Sequence, residues 1–282
     1  MKYRTYRARM VALRALRVFL DQDMPVFAGC ATLFLITASF PLLIWIMVLV
    51  NHMPDYSIAD LTDLLCRFLP QVPEIQQTVL DLLNNLSAQS TTFVASFAAV
   101  TTLFSASGGM AAIQKGLQRL TPGARCRFYD RLLAIVYTVA FEVVLLVIVL
   151  LQGLRSVFPP LSRFVTQYIG TGALLETLRR ILSYSQPVIV PVILLIVLLI
   201  YTFVPGGRRT LRSQLAGAIF ATVGWLVFSR IFSFYILHFW KLSYIYGSLT
   251  AVILIILWLY VIINLLFLGA AINAALQHYP QL

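Results

Sequence analysis

The chain has 282 residues, 60% of them hydrophobic and only 11% charged, with a net charge of +11. Soluble domains carry about 25% charged residues, so this composition leaves too little polar surface to cover a soluble core and excludes a soluble enzyme. The positive balance fits basic loops and anionic lipid headgroups beside membrane spans better than nucleic acid, which is not expected as a partner.

Residues 1–25 carry Arg4, Arg7, Arg9, Arg14 and Arg17. Tyr6, Leu13, Leu16 and Leu20 fall on one side of a helical wheel and Arg4, Arg7 and Arg14 on the other, which predicts a basic interfacial helix on the inner leaflet. No short apolar stretch with a small-residue cleavage site precedes the first span, so no cleavable signal is expected. A span needs about 20 apolar residues. Six segments qualify, at about 26–50, 92–113, 131–153, 185–204, 213–237 and 247–272, and they define one membrane domain over 26–282. The fold class is therefore all-α and polytopic, with six transmembrane helices.

The spans differ in character. The first begins after Asp23 and Pro25, a helix-start signal, and Thr37, Ser39 and Pro41 can bend it. The second, TTFVASFAAVTTLFSASGGMAAI, is rich in small and hydroxyl residues, which suits close helix packing. The fourth, PVIVPVILLIVLLIYTFVP, is almost wholly branched and aliphatic and is expected to face lipid. Between the first two spans lie IADLTDLLCRFL and EIQQTVLDLLNNL, two amphipathic stretches that predict short helices over the mouth of the bundle. Another is expected at 172–183.

Orientation follows from Lys and Arg. With the N-terminus inside, fourteen lie on the inner side: Lys2, Arg4, Arg7, Arg9, Arg14, Arg17, Lys115, Arg119, Arg125, Arg127, Arg131, Arg208, Arg209 and Arg212. Six lie outside: Arg67, Arg155, Arg163, Arg179, Arg180 and Lys241. The excess places both termini in the cytoplasm. Four of the outer six fall in one segment, 154–184, which runs against the rule.

Ionisable residues inside spans are functional hypotheses by default. Glu142 lies roughly 16 Å into the third span and Arg230 roughly 26 Å into the fifth, counted from the inner end at 1.5 Å per residue. They either pair or line one hydrated cavity, or else Arg230 snorkels outward while Glu142 is neutralised locally. Ser105 and Ser107 in the second span and Asn264 in the sixth are the polar candidates for a substrate or coupling path. Gly108, Gly109, Gly217 and Gly269 are helix-packing candidates, and Asn264 and Asn273 are candidates for interhelical hydrogen bonds. The histidines His52, His238 and His278 make no metal motif, and no HExxH, CxxC, P-loop or GxSxG pattern occurs. No catalytic residue, metal or cofactor is expected. The three cysteines, Cys30, Cys66 and Cys126, fall in different predicted compartments and imply no disulfide framework.

Four stretches carry a family resemblance: AGCATLFLITASFPLL at 28–43, LFSASGGMAAIQKGLQRL at 103–120, VPGGRRTLRSQLAGAIFATVGWLVFSRIFSFYI at 204–236, and YGSLTAVILIILWLYVIINLLFLGAAINAAL at 246–276. With them the chain resembles the BrkB/YihY family of bacterial inner-membrane proteins, formerly mislabelled ribonuclease BN. The Y-G-S-L…W-L-Y…L-G-A run is its most specific part. The chain departs from the family at Ala271, where an acidic residue usually follows L-G-A, and at Phe34 or Leu35 in the first span. The resemblance implies a six-span inner-membrane protein, often described as a transporter or linked to envelope integrity and virulence. It supplies no substrate and argues against nuclease activity.

The leading functional expectation is therefore a transporter or lipid-handling protein of the bacterial cytoplasmic membrane. The alternative is a non-transporting scaffold in which the buried charges only lock the bundle, and the third is a membrane-embedded enzyme. Expected partners are membrane lipids, anionic headgroups at the basic face and a second copy of the chain.

Overall fold

The computed structural model describes residues 2–51, 58–66, 69–70, 72–89, 92–121, 129–143, 185–206, 209–239 and 248–277. Nine helices and no strand occur among the described residues. They are α1 (Lys2–Asp21), α2 (Met24–Asn51), α3 (Ile58–Cys66), α4 (Pro73–Gln89), α5 (Thr92–Leu120), α6 (130–143), α7 (Ser185–Phe203), α8 (Leu211–Phe239) and α9 (Ser248–Gln277). The second half of the expected third span, the expected outer segment 154–184 with its four arginines, and the helix expected at 172–183 lie outside the described residues.

Among the described residues three helices are long and apolar enough to cross a membrane: Met24–Val48, Leu211–His238 and Thr250–Gln277, of 25, 28 and 28 residues. At 1.5 Å per residue each exceeds a hydrocarbon core of about 30 Å. Val190–Phe203 is a shorter apolar helix. α5 has the length, 29 residues, but carries Thr, Ser, Gly and Ala where the others carry Leu and Ile.

α9 is the central element. It packs against α8, α1, α2, α4 and α5, while α2 makes its most extensive contact with α5, and α7 packs on α8. Two apolar clusters stack along this bundle. One joins Val11, Ala15 and Phe19 of α1 to Ala28 and Ala31 of α2, Leu117 of α5, Tyr201 of α7, Ala218 of α8 and Phe267 of α9. The other, at the opposite end, joins Met47 of α2, Leu61 of α3, Ile75 and Leu83 of α4, Phe232 of α8 and Leu254 of α9. α3 and α4 thus cover the end where α2 and α8 finish and α9 begins. There Trp258 donates its indole N–H to Ser229 Oγ at 3.0 Å and meets Trp225 edge-on, with ring centroids 6.2 Å apart.

α1 buries a face that helix-wheel reading does not single out. Val11, Ala15 and Phe19, spaced four apart, pack inward, whereas Leu13, Leu16 and Leu20 are about half exposed. Its two apolar faces serve different surroundings, one the bundle and one the exterior. Asp23 joins α1 to α2 with φ 55°. Its N–H donates to Leu20 O at 3.1 Å and its carbonyl accepts from Val26 N at 3.0 Å. This left-handed conformation costs a β-branched residue more than Asp, Asn or Gly. Asp23→Val is expected to cost about 1–2 kcal/mol of unfolding free energy and Asp23→Gly close to none, as read by thermal unfolding in detergent.

Cys66 closes α3 with its thiol buried. Burial, with the charge of Asp63 second, raises its pKa above the ordinary thiol value. A thiol held protonated in the folded state contributes stability that is fully present below the unfolded pKa and is lost as pH rises through the folded one. Alkylation of Cys66 should accordingly be slow near pH 8, speed up above the ordinary thiol range, and become fast on unfolding. A rate at pH 8 equal to that of a free thiol would contradict this.

Candidate functional site

The polar side chains of the bundle converge at one end, where α5, α7 and α9 finish and α6 and α8 begin. Lys115, Arg119, Arg131, Arg209 and Arg212 sit there as well, so this is the basic end.

Asn273 is its most constrained member. It is 2% exposed. Its Oδ1 accepts the Gly217 N–H at 2.7 Å, and its Nδ2 donates to Gln214 O and Gln214 Oε1, both at 3.1 Å. One side chain of α9 therefore binds the first turns of α8 through three hydrogen bonds. Close approach makes this possible. A Cβ placed on Gly217 would collide with the Gly269 carbonyl oxygen and lie 2.5 Å from Asn273 Nδ2. A Cβ on Gly269 would lie 2.5 Å from the Tyr201 hydroxyl and 2.6 Å from Gly217 O. The Tyr201 hydroxyl donates to Leu266 O at 2.5 Å and ties α7 to the same crossing.

Beside this crossing lies a cavity of about 10 Å³ lined by Thr121, Tyr201, Arg209, Gln214, Asn273 and Gln277 with Leu117, Pro205, Ala270 and Ala274. That is room for about one water. Arg209 stands in the α7–α8 connection, where burial lowers its pKa from the ordinary guanidinium value. A guanidinium remains charged regardless.

A second polar group joins α5 to α6. Gln114 and Gln118, one turn apart, donate their Nε2 groups to Asp130 Oδ1 at 3.2 Å and Oδ2 at 3.1 Å. Their neighbours complete the junction. Arg119 lies over the Phe27 ring at 4.9 Å, a cation–π distance, and a Cβ on Gly116 would lie 2.6 Å from the Phe267 ring.

None of the five path candidates from the sequence lines the cavity just described. Glu142 is partly buried on α6, and its Oε1 has no hydrogen-bond partner among the described residues. Arg230 is exposed on α8 amid exposed Leu226, Val227, Ile231 and Phe234. No contact joins the two among the described residues. Ser105 is half-buried, and Ser107 is buried with its hydroxyl donating to Phe104 O at 2.8 Å. Asn264 donates to Tyr260 O of its own helix at 2.8 Å. Gly108 and Gly109 face α2, where a Cβ would lie 2.7 Å from Phe34 and 3.2 Å from Leu35. Among the described residues no three His, Cys, Asp or Glu side chains gather as a metal site.

Sequence reasoning passed over Gln114, Gln118, Asp130, Tyr201 and Gln214. The four-residue spacing of Gln114 and Gln118, on the apolar face that also carries Leu117, was the available signal.

Helices of this length and apolarity define a multi-pass α-helical membrane protein. The chain belongs to the BrkB family: the family model for virulence factor BrkB matches residues 15–281. It is 30% identical over 254 residues to the "ribonuclease-like protein YfkH" of Bacillus subtilis (strain 168), with 88% of each chain covered. It is also 35% identical over 100 residues to a UPF0761 membrane protein of Chlorobium luteolum, covering 35% of this chain and 23% of that protein. A UPF0761 membrane protein of Idiomarina loihiensis is 24% identical over 119 residues, covering 42% of this chain and 39% of the relative. No solved structure matches.

Proposed function

We propose that this protein is a six-span lipid-handling transporter of the bacterial cytoplasmic membrane, without enzymatic activity, with both termini and the basic end in the cytoplasm. One observation carries the choice of lipid over a small solute. Arg230, exposed on an apolar face, lies about 13 Å from the end of α8. A charge on such a face is costly in hydrocarbon unless it reaches a headgroup or a polar partner. Long side chains meet that need by snorkelling to phosphate.

On this reading residues 1–25 dock on the inner leaflet, with exposed Met10, Leu13, Leu16 and Leu20 entering the acyl boundary and the arginines meeting anionic headgroups. Residues 26–282 form the single membrane domain. The ribonuclease-like name belongs to the Bacillus subtilis relative. Such chemistry is not part of the proposal, because Asn273, Gln214 and Tyr201 at the basic end hold helices to one another.

Native mass spectrometry of the full chain in mild detergent tests the proposal. The expected result is a reproducibly retained lipid whose occupancy falls in Arg230→Gln. A bare chain in both proteins would favour the scaffold reading.

A further inference from the structure

The exposed apolar face of α8 changes character toward the end that α3 and α4 cover. Val227, Ile231 and Phe234 are exposed along it, and so are Arg230 and His238. Residues 230, 234 and 238 follow one another at four-residue spacing, so they share a stripe about 80° wide on the helix. His238 is fixed on this stripe. Its ring stacks on Phe234, with centroids 4.2 Å apart and planes 29° from parallel. Its Nδ1 lies 2.9 Å from Phe234 O. A carbonyl only accepts, so Nδ1 carries the proton and Nε2 is the nitrogen left to face the surroundings.

Depth separates the two polar groups. The apolar helix Leu211–His238 has 28 residues. Centred on a hydrocarbon core of about 30 Å, at 1.5 Å per residue, it overshoots by about 6 Å at each end. His238 then stands at headgroup level, and Arg230, about 12 Å below it, starts about 6 Å inside the hydrocarbon. An arginine at such a depth lifts its guanidinium toward the interface, which here is the side of His238.

We infer that Arg230, Phe234 and His238 form a clamp for the phosphate of one phospholipid in the leaflet opposite the basic end, with His238 bound as the imidazolium. The phosphate accepts from the guanidinium below and from Nε2–H above, both charge-assisted hydrogen bonds. Phe234, between them, meets the apolar part of the lipid. A neutral imidazole offers only a lone pair at Nε2, which repels a phosphate oxygen. The occupant is a lipid rather than free phosphate, because the lower cation lies within hydrocarbon. This inference rests on the lipid-handling proposal and deepens it: Arg230 supplies the charge in both, and His238 adds selection by headgroup phosphate and by pH.

The surroundings of His238 leave that selection to the lipid. On α8 its ionisable neighbours are Arg230 and Tyr235. α7 and α9, which pack against α8, contain no Asp, Glu, Lys, Arg or His. Their ionisable side chains are Tyr201, bonded to Leu266 O at the basic end, and Tyr260 in the middle of α9. The acidic residues Asp60, Asp63, Glu74 and Asp81 stand on α3 and α4. Those helices meet α8 through Phe232 and Ile236, and His238 lies about 160° round the helix from Ile236. Histidine changes charge between pH 5 and 8, so the clamp closes on acidification.

The test is native mass spectrometry of the full-length protein in mild detergent at pH 6 and pH 8, titrated with dioleoylphosphatidylglycerol or with dioleoylglycerol, which lacks the phosphate. Wild type is expected to bind one phosphatidylglycerol about tenfold more tightly at pH 6 than at pH 8 and to release dioleoylglycerol. His238→Lys, a cation at both pH values, should bind tightly at both. His238→Phe, which keeps a stacked ring, should bind weakly at both. Equal retention of the two lipids would overturn the clamp, as would a pH response that persists in His238→Phe. Wild-type binding that neither pH nor His238→Phe changes would overturn it too, and a loss confined to Arg230→Gln would then leave the lipid proposal standing alone. A wild-type chain bare of lipid at both pH values would sink both.

Discussion

Gly217→Ala, a change of one methyl group, is expected to lower the unfolding free energy by about 3 kcal/mol, the upper end of the usual cost of overpacking. The added carbon would meet the Gly269 carbonyl and the Asn273 amide, neither of which can swing away. The backbone oxygen is fixed in α9, and the amide is held by its own three hydrogen bonds. α8 and α9 must then separate, and the packing of Ala218 and Ala221 against Phe267 loosens with them. Gly29→Ala is the matched control. Nothing lies within 4 Å of a Cβ at Gly29, and alanine is favoured over glycine in a helix interior by up to about 1 kcal/mol. Unfolding in mixed micelles should therefore show a loss for Gly217→Ala and none for Gly29→Ala. Equal effects would mean that the α8–α9 crossing is not tight.

Asn273→Leu should cost about 2 kcal/mol or more. Hydrogen bonds between membrane helices average well under 1 kcal/mol each, up to about 1.7, but this side chain makes three. Its removal leaves Gln214 Oε1 buried without that donor. The same unfolding assay reads it, and a cost within error of zero would show that the polar contacts are dispensable. Because Gly217 and Asn273 act on one contact, the double variant should lose clearly less than the two single losses added together.

The parts of the fold legible in the sequence were those set by apolar length. α2, α8 and α9 follow from runs too long and too apolar for a soluble core. The basic end was legible through its arginines. The lateral arrangement was not. On α1 the expected stripe, Leu13, Leu16 and Leu20, is about half exposed, while the face that packs on the bundle, Val11, Ala15 and Phe19, is one the helical wheel did not single out. α5 continues to Leu120, beyond the apolar stretch, where Gln114 and Gln118 meet Asp130 of α6, and composition cannot foretell such a pairing.

Two asparagines flagged on the same grounds also diverge. Asn273 sits opposite a glycine and can reach another helix, while Asn264 bonds back to Tyr260. Separating them requires knowing which face of α9 meets Gly217. Glu142 and Arg230 were flagged for their charge, but charge alone does not say which faces of α6 and α8 turn toward each other.

The proposed orientation puts the basic end of the bundle in the cytoplasm and the α3–α4 end outside. In a cysteine-free background, Gln77→Cys on exposed α4 and Arg212→Cys at the start of α8 sit at opposite ends of the bundle. Labelling of spheroplasts with a membrane-impermeant maleimide reads both. The prediction is that Gln77→Cys reacts in intact spheroplasts and Arg212→Cys only after lysis. Reaction of Arg212→Cys before lysis would contradict the orientation, and with it the cytoplasmic placement of the Asn273 crossing and the Gln114–Gln118–Asp130 cluster.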